Sequence, residues 1–456
     1  MAAFPDKKDF SQGSVLSCIL RVAGPMTLAL IINTLYNVVD RMYIGHIEGT
    51  GRLALTGLGL VFPITTAISA FQALISSGGS PLFAIARGEG NACRAETILG
   101  NAYAMLLLLG FTLTALGYLV KGPVLWAIGA DASTFTYADD YLSVYLLGTA
   151  FVLTSVGMNP FINAQGYAKT GMLTVLLGAV TNLALDPLFI FVFGMGVRGA
   201  ALASVLAQFL SAIWVYLFLT HRRTLIRLRL SAMRLDLRLI GRMLSLGVTG
   251  FTANVTSSLV SMLYNAQLAA LGGTIWVSAM TVVNSLREIA SMPFSGVANG
   301  AQPVISYNYG ARRPDRVREA IRIMTLICIL CTAAAWAPMM MAPAFFIRIF
   351  NDDPALLPIA SRSIRLYFMF FPFMAFQMAG QTVFTALGRA KAAVFFSLLR
   401  KAILVIPLAL ILPHLWGLGP SGVLLSEPVS DVVGGLSCYI TMRLTVFRKL
   451  GLERNP

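Results

Sequence analysis

Charge is what this sequence has least of. Only 12% of its 456 residues are Asp, Glu, Lys or Arg, against about 25% in an ordinary soluble domain. With 57% apolar residues and a mean hydropathy of +0.77, a soluble globular fold is excluded. A membrane span needs roughly 20 mostly apolar residues, so the chain is long enough for about a dozen with short connections. Between residues 15 and 443 no polar block is long enough for a separate domain. No appended nucleotide-binding domain is therefore expected, and the energy source is expected to be an ion gradient or nothing. Cysteine is also scarce. Of the five, Cys328 and Cys331 form a CxxC, but it lies in TLICILCTAAAW with no second pair and no nearby histidine. It reads as core packing, so no structural metal, disulfide or cofactor is assigned. The one acidic dyad near a span, Asp139 and Asp140, lacks further acids at metal-binding spacing, which argues against an enzyme acting on lipid phosphates. The opening MAAFPDKKDF has no charged start, apolar core and small-residue site of a cleaved signal, so the first apolar segment is expected to stay in place.

The net charge of +15 sits in short arginine runs between apolar stretches rather than on one basic face with stacking aromatics, so no nucleic-acid partner is expected. Twelve helices are predicted, over 15–40, 53–80, 99–120, 140–163, 171–193, 199–220, 239–271, 274–302, 321–342, 364–387, 394–413 and 417–441. With a cytoplasmic N-terminus, 26 Lys/Arg fall on the inner side and 7 on the outer, with Arg287 alone inside a span. The inner set includes Lys7, Lys8, Arg223, Arg400, Lys401, Lys449 and Arg454, and the outer set Arg52. The excess predicts a multi-pass membrane protein with both termini cytoplasmic.

Widely separated landmarks recur at one offset. Gly78, Pro81, Gly88 and Arg94 match Gly300, Pro303, Gly310 and Arg316 at 222, as do Gly166, Ala168 and Lys169 with Gly388, Ala390 and Lys391. Gly194, Gly196 and Gly199 match Gly417, Gly419 and Gly422 at 223. The chain therefore reads as an N-terminal six-helix lobe (1–220), a basic cytoplasmic linker facing water and lipid headgroups (221–238) and a C-terminal six-helix lobe (239–456). Six is even, so the halves are parallel repeats, the arrangement of secondary transporters, with a substrate path expected between them.

Only five acids fall inside spans: Asp40, Asp186, Glu288, Glu427 and Asp431. An ionisable side chain at bilayer depth is a functional-site hypothesis by default. Asn33, Asn37 and Asp40 share one face of the first helix, with Tyr36 beside it. Asn182 and Asp186 are four apart on the fifth, followed by Pro187; the fourth adds Asn159 and Asn163 around Pro160, and the sixth Ser204 and Gln208. Their second-half counterparts are mostly apolar, Asp40 mapping to Met262 and Asp186 falling near Pro407 and Leu408. Cation coupling is therefore expected in the first half. Two carboxylates with amide and hydroxyl oxygens can bind a hard cation such as sodium or a proton. In the second half, Arg287 and Glu288 point to different sides of one helix, and Glu427 and Asp431, four apart around Pro428, either line a cavity or hold helices together. The stretch YFMFFPFMAFQMAGQ, carrying Gln377 and Gln381, offers an adaptable Met/aromatic wall of the kind a promiscuous binder uses.

GPMTLALIINTLYNVVDRMYIGHI (24–47), LGAVTNLALDPLFIFVFGMGVRGAALASVLAQ (177–208) and GAQPVISYNYGARR (300–313) resemble the multidrug and toxin extrusion (MATE) family, and the similarity runs through the whole chain. The resemblance implies an all-α, twelve-helix, two-lobed antiporter that exports organic cations and other amphiphiles against sodium ions or protons. In the DinF-like branch the cation site falls, by motif match, on Asp40, Asn182, Asp186 and Ser204, with Asn159 at an adjacent polar position. Substrate contacts are expected from Asn33, Tyr36, Asn37, Asn163, Gln208 and Gln377. The acids of the NorM-like branch on helices seven and ten are missing, with Glu288, Glu427 and Asp431 as possible secondary acids. The expected partners are small amphiphilic or cationic molecules and the bilayer, with the chain a monomer and not an enzyme. The rival within the superfamily is a lipid-linked oligosaccharide flippase, which needs a more basic cavity.

Overall fold

The structure, a computed structural model, describes residues 10–450 except 48–50, 223, 351, 352, 416 and 449. Lys7, Lys8, Arg223, Lys449 and Arg454 of the charge census lie outside the described residues, as does the side chain of Arg52. Among the described residues the chain is helical, with no strand. The first half contains α1 (Val15–Gly45), α2 (Gly51–Gly88), α3 (Ala92–Ile128), α4 (Phe135–Leu147), α5 (Thr149–Gly157), α6 (Asn159–Ala164), α7 (Ala168–Pro187) and α8 (Gly196–Thr220). The second contains α9 (Leu237–Gly272), α10 (Thr274–Gly310), α11 (Pro314–Met341), α12 (Pro343–Arg348), α13 (Leu356–Tyr367), α14 (Met374–Ala386), α15 (Ala390–Leu398), α16 (Ile406–Ile411) and α17 (Pro420–Met442).

Every predicted span has its helix, and most run several residues past the predicted ends. Polar residues at helix ends, such as Arg87 in the last turn of α2, stay helical after the hydropathy has fallen. Among the described residues nine helices are long and apolar enough to cross a membrane, and Phe135–Leu147 with Thr149–Ala164 forms another, bent by 59°. The fourth span is therefore broken and not the single helix predicted over 140–163. The eighth is the long α10. The tenth is α13 and α14 joined through a 3₁₀ turn at Phe371–Phe373, where Pro372 cannot donate to a helical hydrogen bond. Apolar side chains point outward along these helices: Leu119 is 77% exposed and Val192 71%, a surface that suits lipid and not water.

The chain divides into two compact units. One holds Leu28–Phe251 and the described residues before Gly13; the other holds Gly13–Thr27 and the described residues from Thr252 onward. This differs from the division at 221–238, because each unit takes the first part of one long helix from the other half of the sequence. The landmark glycines explain the exchange. A Cβ on Gly78 of α2 would lie 1.9 Å from the Met243 carbonyl oxygen of α9, and one on Gly300 of α10 would lie 2.6 Å from Ala23 Cα of α1. Only hydrogen fits at either contact. The first unit is filled by a core including the edge-to-face pair Phe83 and Phe161, ring centroids 5.7 Å apart. The second is filled by aromatics such as the stacked Phe384 and Phe396 at 5.6 Å.

The basic linker is not a free solvated strap. Ile226 and Leu228 are buried, and Asn101 of α3 donates to the carbonyls of Ala232 and Arg234 while accepting from Asp236 N. Gln165 accepts from Ile226 N. Arg222, Arg229, Arg234 and Arg238 nevertheless remain exposed.

Candidate functional site

The first unit gathers a polar cluster from four helices. Asp40 comes from α1 with Tyr36 one turn earlier, Asn182 and Asp186 from the end of α7, Ser204 from α8, and Tyr141 and Tyr145 from α4. The local sequence builds the site at a helix irregularity. After Pro187, residues Leu188–Val192 form a wide π-helical turn, a feature that often marks functional positions. Asp40, Asn182 and Asp186 are buried, the last completely.

Asn182 Nδ2 donates to Asp186 Oδ1 at 3.2 Å and to Ser204 Oγ at 3.3 Å. Both amide hydrogens are thereby committed, so Asn182 presents its carbonyl oxygen. Asn182 Oδ1, Asp186 Oδ2 and Asp40 Oδ1 are buried with no donor. The Asp40 and Asp186 carboxyls lie within hydrogen-bonding reach of each other, and among the described residues no basic side chain forms a salt bridge to either. Three oxygens without donors and two facing carboxyls suit a cation or a proton, since buried polar groups are otherwise paired.

Tyr141 and Tyr145 were not singled out in the sequence. Tyr141 is within hydrogen-bonding reach of Ser204, and Tyr36 interacts with Asp40; the Tyr141 and Tyr145 rings stack at 5.9 Å. Their spacing of four on one helix was the available signal, but a tyrosine pair also fits ordinary packing.

The other predicted residues divide. Asn33 and Asn37 are exposed, and Asn37 Nδ2 donates to the Asn33 carbonyl of its own helix; Asn37 lies within hydrogen-bonding reach of Tyr36 at the edge of the cluster. Gln208 lies one turn beyond Ser204 and accepts from Ser155 Oγ at 2.6 Å. Asn159 is not part of the cluster. Its Nδ2 donates to the Gly171 carbonyl at 2.9 Å, and Asn163 Oδ1 faces the same glycine. Gly171 and Asp186 are fifteen residues apart on one helix, roughly 22 Å at 1.5 Å per residue. The two asparagines join α6 to the far end of α7.

The second unit carries a different cluster, which corrects two sequence expectations. Arg400 and Lys401, counted among cytoplasmic loop charges, lie in a π-helical stretch, Leu399–Val405, and are buried. Arg400 Nη1 donates to Glu427 Oε1 at 3.1 Å and also to Asp431 Oδ1, and Lys401 Nζ donates to Glu427 Oε1 at 2.7 Å. Tyr264 completes Glu427 from the other side, donating to Oε2 at 3.2 Å. Glu427 and Asp431 are thus matched to cations. The second half, expected to be mostly apolar at the equivalent positions, has its own polar core in another register: at the offset of 222, Arg400 stands where Gly178 stands. Charges buried at span depth must pair, and the sequence shows the acids without showing that basic residues six and seven positions into the predicted span, 394–413, turn inward. Glu288 is exposed. Gln377 is buried in the second unit, donating to the Phe396 carbonyl at 3.1 Å with its own Oε1 unpartnered. The Met/aromatic wall divides as well: Phe368 and Phe371 are core, 5.0 Å apart, while Met369 and Phe370 face outward.

The MatE family model matches residues 25–188 and again 251–411, once in each half. Among curated proteins the chain is similar to a FAD transporter of Shewanella oneidensis, 22% identical over 92% of this chain and 93% of that one. It is also similar to the multidrug export protein MepA of Staphylococcus haemolyticus, 19% identical over 93% and 92%. Among solved structures, a MATE protein in a bent conformation superposes with a TM-score of 0.91 at 22% identity, covering 98% of this chain and 99% of the other. A MOP-superfamily transporter from Pyrococcus furiosus superposes at 0.90 with 22% identity, covering 98% of each. A twofold match to one family over most of both halves, on a helical membrane fold of that family, makes this chain a member of the MatE family of transporters.

Proposed function

We propose that the protein is an antiporter of the DinF-like type that exports amphiphilic molecules, organic cations among them, in exchange for protons or sodium ions bound at Asp40 and Asp186. The observation that carries this reading is the pair of buried, facing carboxyls with oxygens that have no donor, set against Glu427 and Asp431, which are held by cations. A proton can be shared between Asp40 and Asp186, or a sodium ion can sit between them, with Asn182 Oδ1 and Ser204 Oγ as neutral oxygen ligands. Either occupant neutralises the pair. A neutral pair no longer attracts a cationic cargo where charge interactions are strong, so ion and cargo displace each other and the exchange is coupled. Export of many compounds is supported by the likeness to MepA, named for multidrug export. Both termini are cytoplasmic and the protein acts as a monomer in the bacterial inner membrane. The flippase alternative has no comparable support among these relatives.

The experiment is efflux of ethidium from proteoliposomes under an imposed sodium gradient and, separately, an imposed pH gradient. Asp186→Asn and Asp40→Asn should abolish gradient-driven efflux while the protein inserts and folds, because the amide keeps the volume and removes the charge. Normal efflux by both variants under either gradient would overturn the coupling site.

A further inference from the structure

The ion network of the second unit leaves one cation unbonded. Arg287 lies near Arg400 and Lys401, whose bonded carboxylates are Glu427 and Asp431, with the exposed Glu288 as a further acid acting on Arg287. Arg400 and Lys401 are each bonded to a carboxylate. Arg287 differs. Tyr367, Glu427, Arg400 and Glu288 are its electrostatic neighbours, yet among the described residues no acceptor bonds it, and its Nε is enclosed without a partner. The residue is only partly buried. Glu288, adjacent in sequence, is exposed and points to a different side of α10.

A guanidinium carries five N–H donors in a planar fork that matches the oxygens of a carboxylate or phosphate. Enclosing one of those donors without a partner is unfavourable, and charge-assisted, two-pronged bonding to an anion removes the penalty. Arg400 and Lys401 repel Arg287 while Glu427 and Glu288 attract it, and among the described residues none of these carboxylates bonds it. Arg287 makes no bond within the network, and its loss therefore leaves the contacts among Arg400, Lys401, Glu427 and Asp431 in place.

We propose that Arg287, the unbonded cation of this network, is a binding site for an anionic group, a carboxylate or a phosphate, so that the ligands of this protein include anionic and zwitterionic amphiphiles as well as cations. Its meaning for transport rests on the export reading above, but the site can be measured without transport.

The purified full-length protein in detergent is titrated against fluorescein, an aromatic carboxylate, and against ethidium, an aromatic cation, with fluorescence anisotropy as the readout. Wild type should bind both saturably. Arg287→Ala should weaken fluorescein binding about tenfold or more, the worth of a charged hydrogen bond, and leave ethidium binding and the thermal unfolding midpoint unchanged. Arg287→Lys should fall between, keeping the charge and losing the fork. Repeating the titration in phosphatidylcholine nanodiscs with and without phosphatidylglycerol identifies the source of the group. Equal fluorescein binding in both assigns the site to solutes, whereas competition by phosphatidylglycerol that is lost in Arg287→Ala assigns it to a lipid headgroup phosphate. No saturable fluorescein binding by wild type, or equal binding by Arg287→Ala, overturns the proposal. Absent ethidium efflux from proteoliposomes with fluorescein binding intact counts against the antiport reading alone.

Discussion

Glu427 and Asp186 are both carboxyls buried in a membrane-spanning helix, and their surroundings give them opposite roles. Glu427 accepts from Arg400, Lys401 and Tyr264, so its charge is matched by fixed partners. Asp186 faces another acid and an amide. Removing one member of a buried ion pair leaves an uncompensated charge and costs about 3–5 kcal/mol. Glu427→Gln should therefore lower the stability of the solubilised protein by an amount of that order, read from chemical or thermal unfolding. Asp186→Asn, which relieves two facing carboxyls, should leave the midpoint unchanged or raise it. A Glu427→Gln variant as stable as wild type would show that the network is not structural. The sequence marked both acids as exceptional and placed the coupling on Asp186, but left Glu427 open between lining a cavity and holding helices, because its partners stand up to 163 residues away.

At the scale of single elements, helix ends and helix contacts follow from a few side chains. Before α4, Asp131 accepts from Ser133 and Thr134 through both their hydroxyls and their backbone N–H groups, which holds its carboxyl down to about 2. A depressed carboxyl contributes stability that is present above its unfolded value and is lost as the pH falls through the folded one. The stability gap between wild type and Asp131→Asn should therefore be small, present at pH 7, and closed between about pH 4 and about pH 2, as thermal unfolding in detergent across that range would show. A gap independent of pH would mean that the ionised carboxylate is not the stabilising form. On α10, Gly300→Ala places a methyl 2.6 Å from the Ala23 backbone, and overpacking of this kind costs about 1–3 kcal/mol. Gly24→Ala, on α1 with nothing within 4 Å of the new Cβ, should be neutral or slightly stabilising, since alanine is the better helix former. Equal midpoints for Gly300→Ala and Gly24→Ala would contradict the close packing of α1 on α10.

For the whole molecule, orientation in the bilayer is a matter of charge. Arg222, Arg229, Arg234, Arg238 and Arg242 remain exposed while the backbone of the linker is fixed by Asn101 and Gln165, and the positive-inside rule then predicts that this stretch faces the cytoplasm. Arg229, exposed and 3.5 Å from Glu96, is a suitable reporter. Arg229→Cys in a background lacking the five native cysteines should react with a membrane-impermeant maleimide only in inverted vesicles. Labelling in intact cells would reverse the topology. Placing Arg400 and Lys401 inside the second unit removes two residues from the inner count of 26, and the bias stands without them.

Hydrophobic length and periodicity are local properties, and they determined the number of spans and the twofold repeat, because every segment in lipid must satisfy its own backbone by forming a helix. The burial cost of a carboxylate is equally local, so Asp40, Asp186, Glu427 and Asp431 were visible as exceptions. Three things were decided only in the tertiary structure. The first parts of α1 and α9 pack in the unit of the other half, because the fit at Gly78 and Gly300 depends on a helix distant in sequence. Asn159 and Asn163 lie about four turns of α7 away from Asp186, a separation that follows from which helix each asparagine touches. Arg400 and Lys401 turn inward to meet Glu427 and Asp431, because a charge inside a span is stable only beside its partner, and no local pattern specifies where that partner stands.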